Sequence, residues 1–410
     1  IFDPVRLNAG MAKILADIPE AKRNGNNMLY AVDSMIHLDK DSSVKSRGTL
    51  VKAVYMKRLK KLLAKDPETV LSWLEALRKS LFTFNNMRAL VIADVTKLPN
   101  PVSAWSPLIS TLDTSAPLLP LVKLSQRLSL DGQNPGSYGA VVVPMATIDS
   151  SFCISTATGP TDPEDPILPA LMVAISFLEA VEGPLWTAIR GKGLAYGSWF
   201  KRDPDGGFIQ FSVYRSPDAY RAFVAGKAIL ESYIDGTAKF EQAALEGAIS
   251  GIVMNLADEQ TTMAAAGQFH FVNSVIRGLD DGYDAKILKA VRDVKVEEIQ
   301  AVMRDVLLPA FTPGKANVAV TCAPIMEEVC SLFLSAYSTS QNPSLSFILS
   351  QSFLTIPFPV FVNFPTNMYV TIGHSQRLYH LRLQNTSPTT LQFPRELRPR
   401  SRRRRGSQCG

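Results

Sequence analysis

Apolar side chains in the first hundred residues recur at helical spacing. Val51, Val54, Tyr55, Leu59, Leu62 and Leu63 fall at i, i+3, i+4, i+8, i+11 and i+12, while Lys52, Lys57, Arg58, Lys60 and Lys61 occupy the other faces. Asp66-Pro67-Glu68 predicts a second helix start, because a carboxylate can cap the helix and proline needs no partner at its first position. Val70, Leu71, Leu74, Leu77 and Leu81 continue the apolar face of that helix. After a turn at Asn85-Asn86, the run Arg88–Asp94 predicts a buried strand. This block has helices and one strand, too few strands for a sheet of its own.

Residues 99–137 are rich in Pro, Ser and Leu and read as a connection. A fuller pattern starts at Tyr138. Strands are expected over 140–143 and 152–157, a helix over 164–181 opened by Thr161-Asp162-Pro163, and a short helix from Gly183-Pro184 to Ile189. Asp203-Pro204-Asp205-Gly206-Gly207 predicts a hairpin turn between Leu194–Lys201 and Phe208–Tyr214. Ile209, Phe211 and Val213 give that hairpin an apolar face, and Gln210, Ser212 and Tyr214 a face for solvent or a partner. Ser216-Pro217-Asp218 caps a helix to about 235, more helices run to about 307, and 316–322 closes as a strand. The order predicts an α+β fold, a sheet with helices packed on one side.

Charge changes the picture at the C-terminal end. Of 410 residues, the first 330 carry 34 basic and 36 acidic side chains, whereas the last 80 carry nine Arg and one acid, Glu396. The net charge of +6 therefore describes a near-neutral body with a basic tail, and no nucleic-acid partner is expected from it. Ser331–Gly373 contains no charged residue but holds Pro343, Pro357, Pro359 and Pro365, which interrupt any apolar span, so membrane contact is not expected either. An irregular or disordered Arg-rich tail is predicted for 331–410. The chain opens at Ile1 without a cationic and apolar leader, as expected of a piece of a longer protein or one whose targeting segment has been removed. Cys153, Cys322, Cys330 and Cys409 form no C-x-x-C pair, which suits the cytoplasm or the mitochondrial matrix.

Candidate chemistry is sparse. His37, His270, His374 and His380 fit no H-x-x-E-H helix, so no zinc ligand and no other metal ligand is expected in this chain. His270, between Phe269 and Phe271, and His37, in a helical stretch, read as structural. G-x-S-x-G, the Walker A loop and a strand-borne G-x-G-x-x-G are absent, and no catalytic residue is assigned. Asp162, Glu164 and Asp165 suit a helix start better than acid–base work. The segment Gly183–Gly197 is more informative. It places a cation, Arg190, and a phenol, Tyr196, six residues apart at a helix end and a strand start, with glycines that let backbone pass close by. By spacing alone the two can converge on one spot, or Arg190 can simply balance the helix C-terminus while Tyr196 packs in the sheet.

Leu185-Trp186, Ile189-Arg190, Gly193 and Ala195-Tyr196-Gly197 resemble the pattern Leu-Trp-x-x-Ile-Arg-x-x-Gly-x-Ala-Tyr-Gly. That pattern belongs to the non-catalytic C-terminal half of insulinase-type (inverzincin) zinc metallopeptidases, in the presequence-protease-like branch. Leu194 stands where that branch often has a second glycine. The resemblance implies a LuxS/insulinase metalloenzyme-like fold: one complete repeat over 138–330, the end of a preceding repeat over 1–110 and a linker over 111–137. It also implies that Arg190 and Tyr196 contact peptide substrate near zinc held by a separate N-terminal half, the partner that carries the H-x-x-E-H helix. The guanidinium would hold a substrate carbonyl and the phenol would donate to the developing oxyanion. The implied function is the non-catalytic half of a zinc metalloendopeptidase, inactive alone, forming the chamber wall. The alternative is a zinc-free structural or interaction member of the same superfamily. A basic-tailed adaptor for membrane or nucleic acid is the unrelated reading. The family's last strand is expected to lead into a short closing helix after Cys330, where this sequence turns charge-free instead.

Overall fold

Alternation along β1 (Ala140–Pro144) divides the molecule into two cores. Ala140 and Val142 face one, Val141 and Val143 the other, and all four are fully buried. The computed structural model describes residues 3–97, 100, 103–121, 127–280 and 282–337, with the backbone of 347–348, 368–374 and 377–383. Its main sheet joins β1 to β2 (Ser151–Thr158), β3 (Gly197–Asp203), β4 (Phe208–Ser216), β5 (Ala316–Cys322) and β6 (Phe347–Ile348) in the order β3-β4-β2-β5-β1-β6. β1 runs parallel to β5 and β6, and the other pairs are antiparallel. The backbone of Met368–His374 and Arg377–Leu383 forms a separate antiparallel pair.

The N-terminal helices are α1 (Pro4–Arg23), α2 (Gly25–His37), α3 (Ser43–Arg47), α4 (Thr49–Lys65) and α5 (Pro67–Leu81). Short α6 (Ser106–Ile109) and α7 (Leu130–Gln133) lie in the connection. Then come α8 (Leu168–Glu179), α9 (Ala219–Ile234), α10 (Gln242–Asp258), α11 (Met263–Phe271), α12 (Tyr283–Arg292), α13 (Val296–Val302), α14 (Glu327–Cys330) and α15 (Leu332–Tyr337). The larger core is built by α8, α9, α10 and α13 on one sheet face, through residues such as Leu171, Phe223, Leu245 and Ile299. On the other face lies α2, with Met28, Leu29, Val32 and Ile36 against Val141, Phe152 and Ala319. The fold is α+β as predicted: the helices of 138–330 share one side of the sheet, and the preceding segment covers the other. Close approach of α2 depends on Gly25, where a Cβ would meet the Phe152 ring at 2.6 Å.

Several local expectations are met. Asp66 caps α5, accepting from the Thr69 N–H at 3.1 Å, and Asp218 caps α9 through the Arg221 N–H at 2.9 Å. The Asp203–Gly207 turn closes the hairpin, with Gly207 at φ +69°.

Three expectations are corrected. Arg88–Asp94 is not a buried strand: it has no regular structure, and Leu90 and Val91 are exposed, because no neighbouring strand offers it a ladder. The polar face of the hairpin meets solvent only in part: Gln210 and Ser212 are buried, Gln210 against Asp33 of α2, and Tyr214 borders a cleft. The irregular tail does not begin at 331, since α15 follows α14 and buries Phe333 and Tyr337 in the main core. Its apolar residues recur at i and i+4, so lack of charge there marks a buried helix. Most of 338–410, including the four-arginine run, lies outside the described residues. The apolar stripe of α5 is only partly used. Val70 packs with Met11 and Leu63 in a third small core, while Trp73, Leu77 and Leu81 are more than half exposed.

Candidate functional site

The chain between α8 and β3 is shaped to present Arg190 and Tyr196 together. Leu185 and Ile189 are buried and anchor a wide helical turn over Trp186–Arg190, which ends with Gly191 N–H donating to the Trp186 carbonyl at 2.7 Å. Gly193 then takes φ +69°, its N–H bonded to the Arg190 carbonyl at 2.9 Å, and reverses the chain. Leu194, in place of a second glycine, packs against the main core with no positive φ. Ala195 is buried, and Tyr196 joins the sheet by donating its N–H to the Arg215 carbonyl at 3.0 Å.

This path puts the Arg190 guanidinium carbon 4.7 Å from the centre of the Tyr196 ring. A guanidinium over an aromatic face is held by the ring quadrupole while its N–H groups at the edge stay free to donate. Tyr196 is 61 % exposed. Behind it, Tyr196 meets Tyr214 edge-on at 6.2 Å, Tyr214 meets Trp199 at 6.0 Å, and Arg215 lies 5.4 Å over Tyr214. A cleft of about 490 Å³ opens from Tyr214 and Arg215 toward Asn24, Thr147 and Ser150. The structure thus brings together the two residues singled out in the sequence and adds Trp199, Tyr214 and Arg215, which alternation alone marked only as a strand face.

Glu179 steadies this edge from the end of α8. Its carboxylate accepts the Phe200 N–H of β3, which would otherwise point outward, and burial pushes its carboxyl up to about 7 against the lowering effect of that bond. Toward the other end of β4, a larger cleft of about 580 Å³ has a floor of polar groups already paired with one another. The Asp33 carboxylate accepts from Thr156 Oγ1 at 3.0 Å and Gln210 Nε2 at 3.3 Å, and the Asp33 main-chain carbonyl accepts from His37 Nδ1 at 3.0 Å. Asn317 donates to His37 Nε2 at 3.1 Å and accepts the N–H groups of Gly136 and Tyr138, an arrangement that assigns the ring proton to Nδ1. His37 is thus a hydrogen-bonded histidine tying α2 to β5. Among the described residues no three His, Cys, Asp or Glu side chains gather as metal ligands. His374 and His380 lie where only backbone is described. No helix of the described residues is long and apolar enough to cross a membrane.

No protein-family model matches the chain. It is 28 % identical over 324 residues to an uncharacterized protein of Schizosaccharomyces pombe, covering 78 % of this chain and 31 % of that protein. An uncharacterized protein of Saccharomyces cerevisiae is 26 % identical over 347 residues, covering 81 % and 33 %. The chain therefore spans about a third of the length of these relatives. Among solved structures, it is similar to the periplasmic protease PqqL from Escherichia coli at 14 % identity and a TM-score of 0.39, over 54 % of this chain and 24 % of that one. A peptidase M16 inactive domain from Pseudomonas fluorescens matches at 15 % identity and a TM-score of 0.37, over 45 % and 42 %.

Proposed function

We propose that this chain is the zinc-free C-terminal half of an insulinase-type metalloendopeptidase. In this reading it walls a peptide chamber, and Arg190 and Tyr196 touch the substrate. The observation that carries the reading is the exposed guanidinium–phenol pair, held on a rigid turn by buried Leu185, Ile189 and Ala195. Arg190 would hold a substrate carbonyl through its free N–H groups, and Tyr196 would donate its hydroxyl proton to the oxygen that gains charge at the scissile bond. Trp199 and Tyr214 offer apolar surface for a peptide side chain beside that pair. Zinc would supply the water activation when held by the other half; no step of that chemistry is assigned to this chain. Relatives about three times as long leave room for a second half in the same polypeptide. The test is to assay a quenched-fluorescence peptide with this chain alone, with an H-x-x-E-H-bearing half alone, and with both. Cleavage that needs both is expected. Activity of the zinc-bearing half that is indifferent to this chain would leave the structural, interaction-only reading in its place.

A further inference from the structure

The far end of β3 carries a cation that the site above does not use. Arg202 follows Phe200 on the face of the strand away from α2 and reaches toward α12. It is half-buried, its Nη1 is fully buried without a hydrogen-bond partner, and no carboxylate among the described residues forms an ion pair with it. It borders a cavity of about 120 Å³ that is also lined by Arg277, Tyr283, Thr161 and Asp205. Neither arginine pairs with Asp205. Arg277 donates to Asn273 Oδ1 at 3.1 Å, and the Tyr283 hydroxyl donates to the Pro163 carbonyl at 2.8 Å, which fixes that wall. Burial first, and then the positive charge of Arg277, hold the Arg202 guanidinium below its ordinary value, with Tyr283 acting the other way.

A buried donor without an acceptor is destabilising, and a second like charge beside it adds to the cost. An arginine at a hairpin end has easy routes to solvent, yet this one keeps one guanidinium nitrogen buried. We infer that the cavity is a binding site for one small oxyanion, a carboxylate or a phosphate, held between Arg202 and Arg277. Two guanidiniums offer paired N–H donors that match either anion. The cavity has room for one such group. Arg202 lies six residues beyond Tyr196 on one strand, about 20 Å away, so the two sites are separate. The inference stands whether or not the chain pairs with a zinc-bearing half.

The test is calorimetric titration of the purified chain at fixed ionic strength with inorganic phosphate, with N-acetyl-dialanine and with N-acetyl-dialanine amide. Saturable binding of phosphate or of the free-carboxylate peptide, but not of the amide, is expected, and the anion that responds identifies the source. Arg202→Met and, separately, the exposed Arg277→Met should each weaken that binding by about tenfold or more, while Lys289→Met on α12 should not. Arg202→Met should also raise the melting temperature of the anion-free chain. Absence of saturable binding by both anions, or equal binding by the wild type and Arg277→Met, overturns the site.

Discussion

Replacing Glu179 by glutamine should change how stability depends on pH. The Glu179 carboxyl is raised from 4.5 to about 7 by burial at the end of α8. Below pH 4.5 it is protonated in both the folded and the unfolded chain, and its favourable contribution is complete. As the pH climbs toward 7 the unfolded chain releases the proton while the folded chain keeps it, so stability falls, and above 7 the loss levels off. At about 1.4 kcal/mol per pH unit the loss is about 3 kcal/mol. Glutamine keeps an oxygen to accept the Phe200 N–H and carries no charge at any pH. Urea unfolding of both proteins at about pH 4.5 and about pH 8 should show the variant gaining about 3 kcal/mol over the wild type across that interval. Parallel pH profiles for the two proteins would refute the reasoning, because they would mean that Glu179 ionises as easily in the fold as in water.

Other substitutions probe other parts of the account. Asn317→Ala removes a fully buried amide that satisfies two backbone N–H groups and bonds His37 and the Asp131 carbonyl, and should cost about 2–5 kcal/mol in chemical denaturation. Phe333→Ala empties a site packed edge-on against Tyr220 and Phe223 at 5.0 and 5.1 Å; a loss of about 3–5 kcal/mol is expected, and a neutral result would place α15 outside the folding core. Metal analysis of the purified chain should find less than one zinc per molecule, and one tightly held zinc would overturn the half-enzyme reading.

Local chemistry was the readable part of the sequence. Asp66-Pro67 and Ser216-Pro217-Asp218 announce helix starts because capping is decided by a few neighbouring atoms, and Asp203–Gly207 announces its turn for the same reason. The convergence of Arg190 and Tyr196 was legible as a possibility, since both lie within one short turn. What depends on distant packing was not. Arg88–Asp94 has the composition of a strand but no partner strand, and Ser331–Tyr337 has the composition of a tail but a waiting apolar cavity. Asp33, Thr156, Gln210 and Asn317 come from four separate segments, so no spacing rule links them before the sheet forms. Arg202 was hidden in a hairpin strand, where an arginine ordinarily reaches solvent.

The most direct measurement is peptide turnover by this chain joined to the H-x-x-E-H-bearing half that the proposal calls for, with Arg190 replaced by alanine. Removing the guanidinium that lies over the Tyr196 ring should lower kcat/KM by about tenfold or more while the chain keeps its melting temperature. Turnover equal to that of the unmodified enzyme would contradict the assignment of Arg190 and Tyr196 to the substrate.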